Sequence, residues 1–247
     1  MDRRQMMAAT AALGLTACAG ALPPCRTQSF EGSAFTVCRY DPARDTFRLM
    51  VTSSNGVALR SLDALATALG ADAKRVQFAM NAGMFDDTGA PIGLYVENGV
   101  ARHALNPDDG AGNFYMKPNG VFFVAADGSP HIETAPVFAQ RTDMPPWATQ
   151  SGPMLVIDGA LHPGIAPDGA SHYIRNGVGI LSDGGAAFVI SNEPVSFGKL
   201  ARFLRDGLGC RDALYFDGDV SSLWAPSLNR RDVKKPLGPM LVVMAKP

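Results

Sequence analysis

The chain has 247 residues, and its 22 Lys and Arg nearly balance its 23 Asp and Glu, which gives a formal net charge of -1 at pH 7. This balance excludes the broad basic surface of a nucleic-acid-binding protein, so we expect no nucleic-acid partner. The length suits one domain, and a composition of 47% hydrophobic and 18% charged residues excludes a disordered chain.

The N-terminus has the features of a bacterial export signal. Arg3 and Arg4 precede an apolar run over 6–15, which is shorter than the roughly 20 residues that a membrane-spanning helix needs. The run ends in Leu-Thr-Ala-Cys, which resembles a bacterial lipobox with Cys18 as the lipidated cysteine. We therefore expect an exported protein with a membrane anchor at Cys18; a cytosolic protein with an apolar start is the alternative. Ala19 follows instead of Asp, which by the same resemblance favours an outer-membrane lipoprotein facing the periplasm.

The lipobox divides the chain into three predicted parts. They are a signal peptide over 1–18, a linker over 19–34 that contains consecutive prolines, and a single domain over 35–247. No internal repeat and no low-complexity tract interrupts the domain.

Three cysteines remain when Cys18 is set aside. An oxidising cell envelope permits a disulfide, and we predict that Cys25 pairs with Cys38, closing a loop of about 14 residues. Cys210 would then be a free, buried cysteine at the end of a helix.

The hydrophobic pattern of the domain alternates between strand and helix periods. The predicted elements are a strand over 46–52, a helix over 59–70 capped by Ser61, strands over 75–80, 213–216 and 239–245, and a helix over 197–208 capped by Ser196. Between them lie four hairpin turns, Asn98-Gly99, Asp127-Gly128, Asp158-Gly159 and Asp183-Gly184. This order predicts the α+β class, with a mixed, largely antiparallel sheet built from hairpins and two or three packed helices.

Residue types that bind metal ions are scattered along the chain. The four histidines occur at no zinc-ligand spacing, so we expect no cofactor. Oxygen ligands for Ca²⁺ or Mg²⁺ remain an alternative, at Asp86-Asp87, Asp108-Asp109 and the pair Asp217 and Asp219.

The segment Ala-Leu-Tyr-Phe-Asp-Gly-Asp-Val-Ser-Ser-Leu-Trp over 213–224 carries the strongest chemical signal. Its apolar run predicts a buried strand that delivers Asp217 into a turn of small residues, where a ligand can approach the backbone. Taken alone, an ordinary Asp-Gly turn after a strand explains the pattern equally well.

Four further segments share this arrangement of a polar residue between Gly or Pro and an apolar strand. They are NAGMF over 81–85, GNFYMKPNGVFF over 112–123, ATQSGPMLV over 148–156 and IRNGVGI over 174–180. With YFDGDVSSLW, they resemble the phosphodiester glycosidase family over nearly the whole domain. The resemblance implies a hydrolase that cleaves the anomeric C–O bond of a sugar-1-phosphodiester, with a phosphorylated glycan as substrate.

Site roles can be assigned to residues within these segments and to one residue between them, Glu97. Asp217 is the candidate base or nucleophile, and Glu97 is the candidate second carboxylate, although a solvated hairpin residue is the alternative there. Arg175 and Lys117 are the candidate phosphate-binding cations, and a surface salt bridge is the alternative for Arg175. Hydroxyl and amide donors for the substrate are expected at Asn81, Asn119, Ser151, Gly152, Asn176, Gly218, Ser221 and Ser222.

One position departs from the glycine-rich form of the family. Asp219 and Val220 stand where animal members have glycines, and the form DGxxSS is similar instead to a bacterial lipoprotein branch. This departure predicts a different pocket and substrate. Two other functions remain open, namely a non-catalytic envelope module that binds phosphorylated glycans and a metal-dependent phosphodiesterase that cuts the P–O bond.

Overall fold

The computed structural model describes residues 23–233 and 235–247, so the predicted signal peptide with Cys18 lies outside the described residues. The strands are β1 (Cys25–Phe30), β2 (Ser33–Tyr40), β3 (Asp45–Met50), β4 (Val76–Asn81), β5 (Tyr95–Glu97), β6 (Val100–His103), β7 (Gly120–Val124), β8 (Pro130–Thr134), β9 (Trp147–Ser151), β10 (Met154–Ile157), β11 (Ala160–Leu161), β12 (Asn176–Ile180), β13 (Ala186–Ser191), β14 (Ala213–Tyr215), β15 (Leu223–Ala225), β16 (Arg230–Arg231) and β17 (Met240–Ala245). The helices are α1 (Leu62–Leu69), α2 (Ala135–Phe138) and α3 (Phe197–Arg202).

The strands form three sheets. Sheet 1 has the order β1-β2-β13-β12-β14-β10-β11, sheet 2 the order β16-β15-β4-β17-β3, and sheet 3 the order β6-β5-β9-β7-β8. Neighbouring strands in each sheet pair antiparallel. The predicted α+β class is confirmed, but the strands divide among three sheets instead of one, because a single twisted sheet rarely exceeds about ten strands.

The four predicted hairpin turns are confirmed. They connect β5 to β6, β7 to β8, β10 to β11 and β12 to β13. Asn98 and Gly99 have φ values of 53° and 76°, the left-handed conformation that a tight turn of the primed type requires. A short local signal therefore fixes the order of these strands.

The two predicted helices are present but shorter than their patterns. Ser61 caps α1 by accepting a hydrogen bond from the Ala64 backbone N–H at 3.1 Å. Ser196 caps α3 in the same way, and a π-helical turn over Phe203–Gly207 continues it. The change of hydrogen-bond pattern at Phe203 ends the regular α-helix before the apolar pattern ends.

A cluster of phenylalanines joins the three sheets. The Phe188 ring on β13 lies 5.4 Å from the ring of Phe78 on β4 and 5.5 Å from that of Phe122 on β7, measured between centroids. It also stacks at 6.4 Å on Phe216, which follows β14. Because Phe78, Phe122 and Phe188 belong to three different sheets, this apolar contact fixes the position of each sheet against the other two.

The segment 19–34, predicted as a linker, contains strand β1. Its first residue Cys25 lies opposite Cys38 on β2, and the two form the predicted disulfide with a Cα–Cα distance of 4.0 Å. Both cysteines are buried, and β1 pairs with β2 in sheet 1. The domain therefore begins before residue 35. Cys210 is free and buried as predicted, and burial raises the pKa of its thiol to about 12.

Removal of the disulfide should destabilise the domain. The bond joins residues separated by 13 positions, and the chain-entropy model gives about 3 kcal/mol for a loop of this size. Urea unfolding of the Cys25→Ala, Cys38→Ala double variant should show this loss. A reducing agent should lower the wild type to the same value and leave the double variant unchanged; equal stability of the oxidised wild type and the variant would contradict the expectation.

Candidate active site

The candidate site lies at one end of sheets 1 and 2. Asn81 is the last residue of β4, and Asn176 is the first residue of β12. Asp217 follows β14, and because β14 is antiparallel to β12, the end of one strand lies beside the start of the other. Ser222 precedes β15, which pairs antiparallel with the end of β4. Four segments that are distant in sequence therefore converge at this end.

Two buried asparagine amides connect the converging segments. The Asn176 side-chain amide donates to Oδ1 of Asn81 at 3.0 Å, and the Asn81 amide donates to the backbone carbonyl of Asp217 at 2.7 Å. Oδ1 of Asn81 also accepts from the backbone N–H of Ser222 at 2.9 Å. The predicted site residues Asn81 and Asn176 thus hold the backbone that carries Asp217 and bond each other instead of facing solvent.

The two serine hydroxyls also bond within the protein. Oγ of Ser221 lies 3.0 Å from Oδ1 of Asn176 and 3.0 Å from the carbonyl of Gly218. Oγ of Ser222 donates to the carbonyl of Val220 at 2.8 Å. Both residues are buried, so in this structure they brace the turn after Asp217.

Asp217 presents the titratable group of this cluster. Its Oδ1 accepts from the backbone N–H of Asp219 at 3.3 Å, at the start of a 3-10 turn over Gly218–Val220. The side chain is half-buried, and burial raises its pKa to about 6, an effect that this hydrogen bond opposes. Exposed Asp219 raises the same pKa, whereas Lys235 lowers it. A carboxylate with this pKa is mostly ionised at neutral pH and suits a base or a nucleophile.

Asp217→Asn is expected to stabilise the folded protein at neutral pH. The fold holds the pKa of Asp217 above its value in the unfolded chain, so the ionised carboxylate destabilises the fold at a pH above about 6. Below about pH 3 the carboxyl is protonated in both states, and the effect disappears. Urea unfolding at pH 7.5 should give the variant a free energy of unfolding higher by about 1–2 kcal/mol.

The same measurement at pH 3 should give coincident curves for Asp217→Asn and the wild type. Asp183→Asn is the matched control, since Asp183 is an exposed aspartate in the turn between β12 and β13. It should give no gain at pH 7.5. If Asp217→Asn also gave none, the carboxylate of Asp217 would not be destabilising in the fold.

Arg175 is buried, although the sequence predicts a phosphate-binding role for it. The residue is 1% exposed, and its guanidinium donates to the carbonyls of Val195 and Ser171 and to the Tyr215 hydroxyl. The Phe197 ring centroid lies 3.6 Å from the guanidinium carbon. Among the described residues, no carboxylate lies within 4 Å of this cation. The structure therefore turns the guanidinium toward protein groups and away from a substrate phosphate.

A chain of contacts runs from Arg175 to the turn of Asp217. Nη1 of Arg175 donates to the Tyr215 hydroxyl at 3.1 Å, and Gly218 packs directly against the same hydroxyl. A β-carbon at Gly218 would overlap this hydroxyl, so only glycine allows the contact. Arg175 and Tyr215 are positioning residues for Asp217, and sequence analysis missed Tyr215 because its strand reads only as apolar.

Asp219 and Val220, the two residues that depart from the glycine-rich form of the family, lie in different environments. Val220 is buried and packs in the same apolar cluster as Trp224 and α1, behind sheet 2. Asp219 points outward and is exposed. Only the charged residue of this pair therefore changes the surface beside Asp217.

The segments around Lys117 and Ser151 form a second group next to the site. The Asn119 amide donates to the carbonyl of Phe114 at 3.1 Å, and Gly152 packs so closely on these residues that a β-carbon would not fit. Lys117 is exposed and contacts Asp109 at 2.6 Å. The Ser151 hydroxyl is buried and has no hydrogen-bond partner among the described residues.

A backbone hydrogen bond links this second group to β14. The N–H of Tyr215 donates to the carbonyl of Pro153 at 3.1 Å. The predicted residues Asn119, Ser151 and Gly152 therefore lie in the layer next to the Asp217 turn, although the described contacts place none of them on the carboxylate itself.

Gln150 is a polar residue of this group that sequence analysis missed. Its Oε1 accepts from the backbone N–H groups of Leu94 and Asn106 at 3.0 and 2.9 Å, and its Nε2 donates to the Asn106 carbonyl at 2.8 Å. These bonds hold the start of the irregular segment over 106–119 against sheet 3. The motif ATQSGP contains Gln150, but the sequence does not indicate which of its polar side chains is buried.

Glu97 lies away from the Asp217 cluster. On β5 it pairs with Trp147, whereas Ser151 stands four positions along β9, roughly 13 Å at about 3.3 Å per residue. Its Oε2 accepts from the Tyr95 hydroxyl at 3.3 Å, and burial raises its pKa. No described contact joins it to Asp217, so the structure does not bring the predicted second carboxylate to the site.

The described residues contain neither a metal-ligand cluster nor a membrane-spanning helix. Across 23–233 and 235–247, no three His, Cys, Asp or Glu side chains are grouped so that they could hold a metal ion. Over the same residues, no helix has the length and apolar character needed to cross a membrane. The expectation of no cofactor and its Ca²⁺ or Mg²⁺ alternative both stay predictions.

A half-buried aspartate whose pKa is raised toward neutrality is typical of functional sites, where such a carboxylate can act as a base. Residues 74–244 match the profile of the phosphodiester glycosidase family, and because this is more than half of the chain, the chain belongs to that family. The uncharacterized protein YigE of Escherichia coli (strain K12) is 38% identical over 191 residues, covering 77% of this chain and 73% of YigE.

Solved structures share the fold at low sequence identity. The catalytic domain of zebrafish N-acetylglucosamine-1-phosphodiester alpha-N-acetylglucosaminidase, auto-inhibited by its pro-peptide, superposes with a TM-score of 0.61 at 12% identity, over 90% of this chain and 82% of that domain. A hypothetical protein from Synechocystis superposes with a TM-score of 0.55 at 14% identity, over 90% of this chain and 61% of that protein. Both likenesses concern the fold alone.

Proposed function

We propose that this chain is an exported hydrolase that cleaves the anomeric C–O bond of a sugar-1-phosphodiester. The observation that carries the proposal is the carboxyl of Asp217 in a member of the phosphodiester glycosidase family. Burial raises the pKa of this carboxyl to about 6, and a buried amide of Asn81 holds the backbone that carries it. The named activity of the zebrafish enzyme with the same fold supports a sugar phosphodiester as the substrate class.

The chemistry fits a site with one carboxylate. Cleavage of the anomeric C–O bond releases a phosphate monoester, which takes the bonding electron pair and needs little help from a general acid. Water supplies the new oxygen on the anomeric carbon, and ionised Asp217 either accepts its proton or first forms the glycosyl bond itself. An ordinary glycosidase needs a second carboxylate to protonate a poor leaving group. The position of Glu97 away from the cluster is therefore compatible with this reaction.

Asp217→Asn should abolish turnover of the 4-nitrophenyl phosphodiester of N-acetylglucosamine 1-phosphate, with kcat/KM lower by about a thousandfold. For the wild type, kcat/KM should fall about tenfold per pH unit below about 6, because protonated Asp217 is neither a base nor a nucleophile. Glu97→Gln is the matched control and should keep nearly wild-type activity. Loss of activity in Glu97→Gln, with activity kept in Asp217→Asn, would show that Glu97 and not Asp217 is the catalytic carboxylate.

Hydrolysis in ¹⁸O-labelled water identifies the bond that breaks. The proposal requires the label on the anomeric hydroxyl of the sugar. Label in the phosphate would instead establish a phosphodiesterase that cuts the P–O bond. Binding of such diesters without turnover, across a panel of sugars, would indicate a non-catalytic envelope module.

We also propose that the protein is a lipoprotein of the cell envelope, attached through Cys18. The lipobox supports this, and so does the Cys25–Cys38 disulfide, since disulfides persist mainly in oxidising compartments. Radiolabelled palmitate should enter the full chain expressed in bacteria and should be lost in Cys18→Ser. Cys210→Ala, which also removes one cysteine, should keep the label and the membrane fraction. Equal labelling of both variants would exclude Cys18 as the attachment point.

A further inference from the structure

An exposed ion pair stands beside the carboxylate of Asp217. Nζ of Lys235 lies 2.8 Å from both carboxylate oxygens of Asp219. The Lys235 side chain is 55% exposed and that of Asp219 is 68% exposed. The backbone N–H of Asp219 donates to Oδ1 of Asp217, so the ion pair belongs to the same turn as the candidate catalytic group.

The backbone next to Lys235 is fixed to the site. Leu237 is buried, and its N–H donates to the carbonyl of Arg60 at 2.9 Å. The Pro239 carbonyl accepts from the N–H of Ala82 at 2.9 Å, directly after Asn81. Lys235 therefore extends from a segment that is held at the same end of the sheets as the buried amides, while its side chain stays accessible.

Lys235 is an accessible cation that contacts the turn of Asp217 through Asp219. Arg175 is enclosed by protein groups, as described above. Lys117 contacts Asp109 and the carbonyl of Pro107 in the 106–119 segment, and no described contact brings it to Asp217. Within the part of the chain that the structure describes, the charge of Asp219 raises the pKa of the Asp217 carboxyl and that of Lys235 lowers it.

We propose that Lys235 binds the phosphodiester group of the substrate and that Asp219 occupies Lys235 until the substrate arrives. Exposed ion pairs contribute little to stability, so a phosphate oxygen replaces the Asp219 carboxylate at small cost. A lysine ammonium donates charge-assisted hydrogen bonds to phosphate, which supplies the attraction. The inference rests on the proposed function, because it assigns the phosphate end of that substrate to this side of Asp217.

In this arrangement, Asp219 lowers the affinity of the site for anionic ligands. It competes with every anionic ligand for Lys235, so it weakens binding of the phosphate group without touching the sugar. Removing Lys235 and removing Asp219 should therefore change the affinity for a sugar phosphate in opposite directions. A merely structural ion pair would give both variants the same direction of change.

The test is calorimetric binding of N-acetylglucosamine 1-phosphate, glucose 1-phosphate and inorganic phosphate to the folded protein. Lys235→Met should raise Kd for the best-binding of these probes about tenfold, and Lys235→Arg should keep most of the affinity. Asp219→Asn should lower Kd about threefold, and the double variant should bind as Lys235→Met does. Lys246→Met is the control, since Lys246 is exposed and contacts the carbonyl of Pro42 elsewhere.

Equal Kd values for wild type and Lys235→Met, or absence of binding by both, would overturn the assignment of Lys235. So would a change in the same direction for Lys235→Met and Asp219→Asn. Binding that depends on Lys235 without Asp217-dependent turnover would leave this inference standing and remove the proposed glycosidase activity. Turnover that is unchanged in Lys235→Met would leave the proposed glycosidase activity standing and remove the role of Lys235. The two failures can therefore be told apart.

Discussion

The pairing of the Asn81 and Asn176 amides is the interaction on which the site depends. Asn81 ends a strand of sheet 2 and Asn176 begins a strand of sheet 1, so their hydrogen bonds join two sheets through buried polar groups. A buried amide without a partner costs about 1–3 kcal/mol, which makes any other docking of the two sheets unfavourable. Because the Asn81 amide also bonds the backbone of Asp217, the contact that aligns the sheets also fixes the candidate catalytic residue.

Arg175 supports the same turn from the other side. Its guanidinium donates to the Tyr215 hydroxyl, against which Gly218 packs, so the residues on both sides of Asp217 are held before any substrate binds. Rigid support of this kind keeps the carboxylate in an environment that raises its pKa, at the expense of stability. Groups fixed in advance need no reorganisation during a reaction, which is the usual physical basis of catalytic power.

The parts of this structure that could be predicted from sequence depend on short-range signals. Asn98-Gly99 specifies a hairpin because its backbone conformation is encoded in two residues, and Ser61 starts a helix through a bond to a residue three positions away. The place of Glu97 depends on long-range pairing between β5 and β9, which no local pattern contains. The burial of Arg175 likewise depends on Phe197 and Val195, which surround it only after sheet 1 and α3 have packed.

The two residues that depart from the glycine-rich form of the family, Asp219 and Val220, have different effects on the structure. Val220 enters the apolar cluster behind sheet 2, so its bulk stabilises the turn and does not narrow the site. Asp219 remains outside, where its charge pairs with Lys235. A glycine at 219 would keep the backbone N–H that bonds Asp217 but would leave Lys235 without this carboxylate. The buried support of Asp217 and the charge at its surface can therefore vary independently within this fold.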